Sequence, residues 1–205
     1  MAKMKKGLCL WVGLALVLFL FSCKNPIAED TESNTLLLLV SLLSQDLEGN
    51  PSNFLQSDVI VTDVDTGAST IIADTAKATM RAELMNPNPA ALSSVYNDLE
   101  LSSYTVTYFR SDGKNVEGVD IPYSFSGTLA GYIQIGTTAE FTFVVVREVA
   151  KMESPLLNLR DGRSEGVIQM TARIDFYGHD MSQKDVKATG YLTIYFANYD
   201  NASGG

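Results

Sequence analysis

The chain has little of what most often carries chemistry. Its 205 residues include two cysteines, one histidine and one tryptophan. So few thiols and imidazoles exclude a cysteine–histidine metal cage and a disulfide framework. Basic residues are also scarce: 15 against 24 acids, for a formal net charge of −9. A surface of that sign repels phosphates, which argues against a nucleic-acid partner. Charged residues make up 19% of the chain and hydrophobic ones 46%, a balance that excludes a disordered polymer and supports a packed core. The length suits one domain, or at most two small ones.

An apolar run long enough to cross a bilayer is missing as well. Met1–Lys6 carries three lysines and no acid, and the apolar stretch that follows, Gly7 to Phe21, has fifteen residues. About 20 are needed to span the hydrocarbon core, so this segment reads as a secretory signal, with an uncleaved anchor helix as the alternative. It closes on Leu20-Phe21-Ser22-Cys23, which resembles the lipobox of bacterial lipoproteins. The resemblance implies cleavage between Ser22 and Cys23 and a diacylglyceryl and N-acyl lipid on Cys23. Two or three acyl chains, at about 0.8 kcal/mol per buried methylene, make such an attachment effectively permanent. Lys24 takes the position where, in Gram-negative cells, an aspartate signals inner-membrane retention, so in such a cell it favours the outer membrane.

On this reading residues 1–22 are the signal peptide and residues 23–34 a lipidated cysteine with a polar tether. The tether from Lys24 to Asn34 extends at most roughly 36–40 Å. Removing three lysines and no acid shifts the net charge from −9 to −12. The one cysteine left is the lipidated one, so the exported domain must rely on packing rather than disulfides.

Residues 35–200 read as an all-β domain, followed by a tail at 201–205. Ile168, Met170, Ala172, Ile174 and Phe176 alternate with polar residues, as do Leu192, Ile194 and Phe196 with Tyr191, Thr193 and Tyr195. This period of two predicts two half-buried strands joined as a hairpin through the polar segment 178–185. Further strands are expected at Asp58–Thr62, Ala78–Leu84, Val95–Leu101, Tyr104–Phe109, Phe141–Val146 and Tyr123–Ile135, the last broken near Gly127 and Gly131. Thr35–Leu43 (TLLLLVSLL) fits a buried first strand, and a helix with Leu36, Leu39, Val40 and Leu43 on one face is the alternative. A short helical turn is expected within Ala150–Asn158. About seven to nine strands without a βαβ rhythm predict an immunoglobulin-like antiparallel β-sandwich.

The segments FLQSDV (Phe54–Val59), YNDLELSSYTVTYFRSDGKNVEGVDIPYSFSG (Tyr96–Gly127) and ARIDFYGHD (Ala172–Asp180) resemble an uncharacterised family of bacterial lipoproteins. Its members join a lipobox to an aromatic, hydroxyl-rich β domain of this kind. The family carries no known catalytic residue, so the resemblance implies none here.

No catalytic constellation emerges from the residues themselves. The only histidine, His179, falls in the expected hairpin turn, and neither a Gly-x-Ser-x-Gly elbow nor a phosphate-binding glycine loop occurs. A carboxylate-dependent hydrolase needs two acids held together, and nothing marks such a pair. Asp63 and Asp65, in Asp63-Val-Asp65-Thr-Gly67, alternate as calcium ligands in a turn can; Asp112, Asn115, Glu117 and Asp120 form a second oxygen-rich stretch. Acids in loops otherwise serve as turn formers. Tyr191 and Tyr195 share the strand face opposite the apolar one, and tyrosines so placed can contact a glycan or a protein. The sequence therefore predicts a lipid-anchored envelope module that binds or assembles and is not an enzyme. A calcium-stabilised carbohydrate-binding or adhesion domain is the alternative.

Overall fold

The computed structural model describes residues 33–63, 65–86, 94–163 and 166–199. The signal segment, Cys23, most of the tether and the 201–205 tail lie outside the described residues. The described chain is an all-β sandwich. Its strands are β1 (Thr35–Gln45), β2 (Pro51–Ser52), β3 (Phe54–Asp58), β4 (Val61–Thr62), β5 (Ser69–Thr70), β6 (Asp74–Leu84), β7 (Leu99–Phe109), β8 (Phe125–Ile133), β9 (Thr138–Val146), β10 (Ile168–Asp180) and β11 (Asp185–Ala197). One sheet has the order β2-β1-β6-β9 and the other β3-β11-β10-β7-β8, with β4 and β5 forming a small separate ribbon. Pairing is antiparallel except for β3, which runs parallel to β11.

The alternation that marks β10 and β11 in the sequence becomes the centre of the five-stranded sheet. Met170, Ala172, Ile174 and Phe176 of β10 and Leu192, Ile194 and Phe196 of β11 are all at most 1% exposed. Their polar neighbours face outward, and the two strands pair from Ile168↔Phe196 to His179↔Asp185. Across the core Phe143 of β9 stacks edge-on against Phe176 (5.2 Å between centroids) and Tyr104 (5.0 Å). The Tyr108 hydroxyl donates to the Val145 carbonyl at 2.7 Å, linking the two sheets where no water can substitute. Gly190 is small because Leu39 and Leu42 of β1 press on the place a Cβ would occupy.

Thr35–Leu43 is strand: β1 continues to Gln45 and pairs with β6, with a bulge between Leu39 and Ser41. The period of two places Leu37 in the core and leaves Leu36, Leu38 and Val40 at 38%, 37% and 58% exposure. Several expected boundaries shift. Val95–Asn97 is a 3-10 turn, and the strand beyond it runs unbroken from Leu99 to Phe109. β8 passes through Gly127 and Gly131 without a break; Tyr104 and Phe141 occupy the space their side chains would need. The expected strand at 58–62 divides at Val59–Ile60, between β3 and β4.

Two short helices, α1 (Glu148–Lys151) and α2 (Leu156–Arg160), carry the chain from β9 in one sheet to β10 in the other. They bury Ala150, Leu156 and Leu159 against the core. No helix among the described residues is long and apolar enough to cross a membrane.

Candidate functional site

The outer face of the five-stranded sheet gathers one aromatic and one charged group of side chains. Register pairs Tyr195 with Gln169 and Tyr191 with Arg173, while β3 lies on the other side of β11 with Phe54 opposite Thr193. The Phe54 and Tyr195 rings meet edge-on at 5.9 Å. Tyr191 is 64% exposed, so a large ring stands in solvent beside that pair. Further along the same face Asp175 receives Thr189 Oγ1 at 2.6 Å, Lys187 at 3.2 Å and Arg173 at 3.1 Å. Burial pushes the Asp175 carboxyl up, but the hydrogen bonds from Thr189 and Lys187, with the charges of Lys187 and Arg173, hold it below the usual range. A flat, rigid surface of rings, hydroxyls and fixed charges can contact a sugar or a polypeptide without reorganising.

A second polar feature lies at one end of the sandwich. Lys151, 1% exposed at the end of α1, reaches both oxygens of Asp74 at the start of β6, at 2.9 and 3.0 Å. It also donates to the backbone carbonyl of Asp58 at 2.7 Å. Ser57 Oγ donates to the same Asp74 carboxylate at 2.6 Å. Asp74 belongs to one sheet and Asp58 to the other, so one ammonium ties both to the helical crossover. Burial raises the Asp74 pKa above its ordinary value, only partly opposed by the Lys151 charge and the Ser57 and Lys151 hydrogen bonds. Beside this cluster opens a cleft of about 410 Å³ that Asp46, Gln56, Ile72 and Lys151 help to line. With Asp74 and the Asp58 carbonyl both engaged, Lys151 acts as a structural clasp between the two sheets and the crossover.

The acids singled out as calcium ligands hold their own turns. Asp63 Oδ1 accepts the amides of Asp65 (2.9 Å) and Thr66 (2.8 Å) between β4 and β5. Those contacts, the Thr66 amide foremost, keep its carboxyl below the usual range. Asp65 is exposed in the same turn. In the second stretch Asp112 pairs with Arg110 at 2.6 Å, Asn115 accepts the Arg110 amide, Glu117 accepts the Ser124 amide and Asp120 that of Val116. Among the described residues no three His, Cys, Asp or Glu side chains come together as a metal site.

His179 lies within β10, opposite Asp185, with Glu100 3.6 Å away on the neighbouring strand. The turn that follows is built by Asp180, whose carboxylate accepts the Ser182 and Lys184 amides and the Ser33 hydroxyl. That last contact fastens the segment just before β1 to the β10–β11 turn. Asp98, 2% exposed, accepts the Tyr132 hydroxyl and the Ile135 amide nearby. Cys23 and Ser22 lie outside the described residues.

Sequence reasoning missed the Lys151 clasp. Its members are separated by 77 and 93 residues in the chain, and a lysine beside Met152 carries no local mark of burial. No family model, curated protein or solved structure matches this chain.

Proposed function

We propose that the chain is a lipid-anchored, non-enzymatic module of the cell envelope, held through Cys23 in the outer membrane if the cell is Gram-negative. It binds a protein or glycan partner through the outer face that carries Tyr191, Tyr195 and Phe54. The anchor is supported by the basic start, the fifteen-residue apolar stretch and the Leu20–Cys23 box, which is followed by a polar spacer. The binding face is supported by one observation above all: Tyr191 is 64% exposed beside the Phe54–Tyr195 pair on a rigid sheet. Exposed aromatic area of this kind is what binding surfaces concentrate.

Two experiments test the two halves separately. Globomycin, which blocks lipoprotein signal cleavage, and Cys23→Ser, which removes the lipidation site, are each expected to replace the mature lipid-bearing chain by a larger unprocessed precursor; unchanged processing under both removes the anchor. Crosslinking in intact envelopes is expected to capture a partner that Tyr191→Ala combined with Tyr195→Ala no longer captures. Equal capture by the double variant rejects this face as the binding site.

A further inference from the structure

The most unusual edge in the molecule belongs to β1. β2 pairs with it only at Ser44 and Gln45, so from Thr35 to Leu43 no described strand lies against the side away from β6. Backbone parity on that side follows from two contacts. Met85 donates to the Asn34 carbonyl, which puts Asn34, Leu36 and Leu38 in register with β6. The Thr35 amide instead turns to the Ser33 hydroxyl at 2.9 Å. The amide and carbonyl groups of Leu37 and Leu39, and the carbonyl of Thr35, therefore point to the open edge.

Natural edge strands are protected by a charge, a proline or a short length. β1 has none of these: its eleven residues, TLLLLVSLLSQ, include no charge and no proline, and its one irregularity, the bulge between Leu39 and Ser41, leaves Thr35–Leu39 regular. Leu36, Leu38 and Val40 add an exposed apolar row next to the open backbone. The other edges differ. β3 is five residues long, β9 contains Glu140, and the outward positions of β8 are Ser126, Thr128, Ala130 and Tyr132.

We propose that this edge pairs with the same edge of a second copy of the chain, β1 antiparallel to β1 about a two-fold axis, joining two four-stranded sheets into one. The edge is self-complementary in its hydrogen-bonding groups and its apolar row, which selects a second copy, and local charge permits it. The chain as a whole carries nine more acids than bases, so two copies repel across most of their surface. Beside β1, however, Arg81 is paired with Glu83 and Lys77 with Glu140. That patch is neutral and already satisfied: it neither repels its own copy nor calls for a charged partner. Geometry agrees. With the axis through Leu37, the Leu37 groups of the two chains exchange two hydrogen bonds. Each Leu39 amide meets the other chain's Thr35 carbonyl, and the Ser33–Thr35 contact is kept. Leu36 then stands opposite Leu38 of the other copy, so each apolar row covers part of the other.

The inference does not depend on the lipid anchor or on the tyrosine face. It is tested on the full chain extracted in mild detergent, by sedimentation equilibrium with the detergent density-matched and by hydrogen exchange of residues 35–43. The wild-type chain is expected to sediment as two chains, with the Leu37 and Leu39 amides protected. Leu36→Lys combined with Leu38→Lys places lysines opposite one another and is expected to give single chains whose Leu37 and Leu39 amides exchange freely. Because both positions are exposed, the circular dichroism and melting of each subunit should be retained. Val167→Lys, at another exposed valine, is expected to change nothing. A monomeric wild type, or a double-lysine variant that remains paired, overturns the proposal. So does protection of those amides in single chains that is lost on deleting residues 24–32, because the tether then covers the edge.

Discussion

The Lys151 ammonium lies 2.9 Å from the Asp74 carboxylate while also donating to the Asp58 carbonyl at 2.7 Å, so one buried charge joins the two sheets and the crossover between them. Removing one member leaves the other buried and uncompensated. Lys151→Met is expected to cost about 3 kcal/mol, near the lower end for a broken buried pair because Asp74 keeps some contact with solvent. Lys151→Met combined with Asp74→Leu is expected to recover most of that loss, since an apolar pair replaces the ionic one. Urea denaturation midpoints of the single and double variants measure both; a double variant as unstable as the single one shows that the charges are not the source of the effect.

Two carboxylates give the acid limb of the stability curve opposite contributions. Burial holds the Asp74 pKa above 3.8, so its contribution is full below the unfolded value and is lost as pH rises through the raised one. Asp175 is lowered: burial raises it, but the hydrogen bonds from Thr189 and Lys187 and the neighbouring charges prevail. Its contribution is present above the unfolded value and lost as pH falls through the depressed one. Asp175→Asn should therefore flatten the loss of stability on acidification, and Asp74→Asn should steepen it. Unfolding midpoints at several pH values across the carboxylate range decide this. Slopes that move in the same direction in both variants reject the assignment.

Tyr108 is 1% exposed, and its hydroxyl is bonded to the Val145 carbonyl. Tyr108→Phe leaves that carbonyl unpaired in the core and is expected to cost about 1–2 kcal/mol. Burial also raises the Tyr108 phenol pKa well above 10. Its contribution to folding is complete below the ordinary tyrosine value and fades as pH climbs through the raised one. The phenylalanine variant, weaker at neutral pH, should lose less stability than wild type between neutral and strongly alkaline solution. An alkaline unfolding curve displaced equally at every pH argues against a buried phenol as the cause.

Gly178 sits where the β10–β7 register shifts, and a Cβ there would collide with the Glu100 backbone carbonyl. A backbone atom in a paired strand cannot swing aside as a side-chain tip can. Gly178→Ala is expected to destabilise by about 1–3 kcal/mol, as overpacking does, and to lower the melting temperature. The same change at Gly136, where a Cβ meets nothing but φ is +80°, tests backbone strain alone. A Gly178→Ala variant as stable as wild type refutes the steric reading.

Much of the sandwich was legible because a strand's period of two is a local property. It shows in Met170-Thr-Ala-Arg-Ile-Asp-Phe176 without knowledge of any partner, and it identified β10, β11 and the core they form. The uniform leucines of β1 left strand and helix open. Pairing with β6 settled it, with Leu37 inside and Leu36, Leu38 and Val40 outside. The outward position of Tyr191 and Tyr195 was also readable, being the complement of the apolar face.

The amino-acid sequence by itself determined the scarcity of catalytic groups and the β character of the domain, and it is the sole basis of the export and lipidation signal proposed for residues 1–23. All of these are properties of composition or of neighbours along the chain. Only the tertiary structure decided that Asp63 serves its own turn, that Lys151 meets Asp74 and Asp58, and that β1 is left at an edge with its apolar row outside. Those outcomes depend on which strands pair and which sheet covers which. That choice is made by burying the whole core at once, and no short stretch of residues records it.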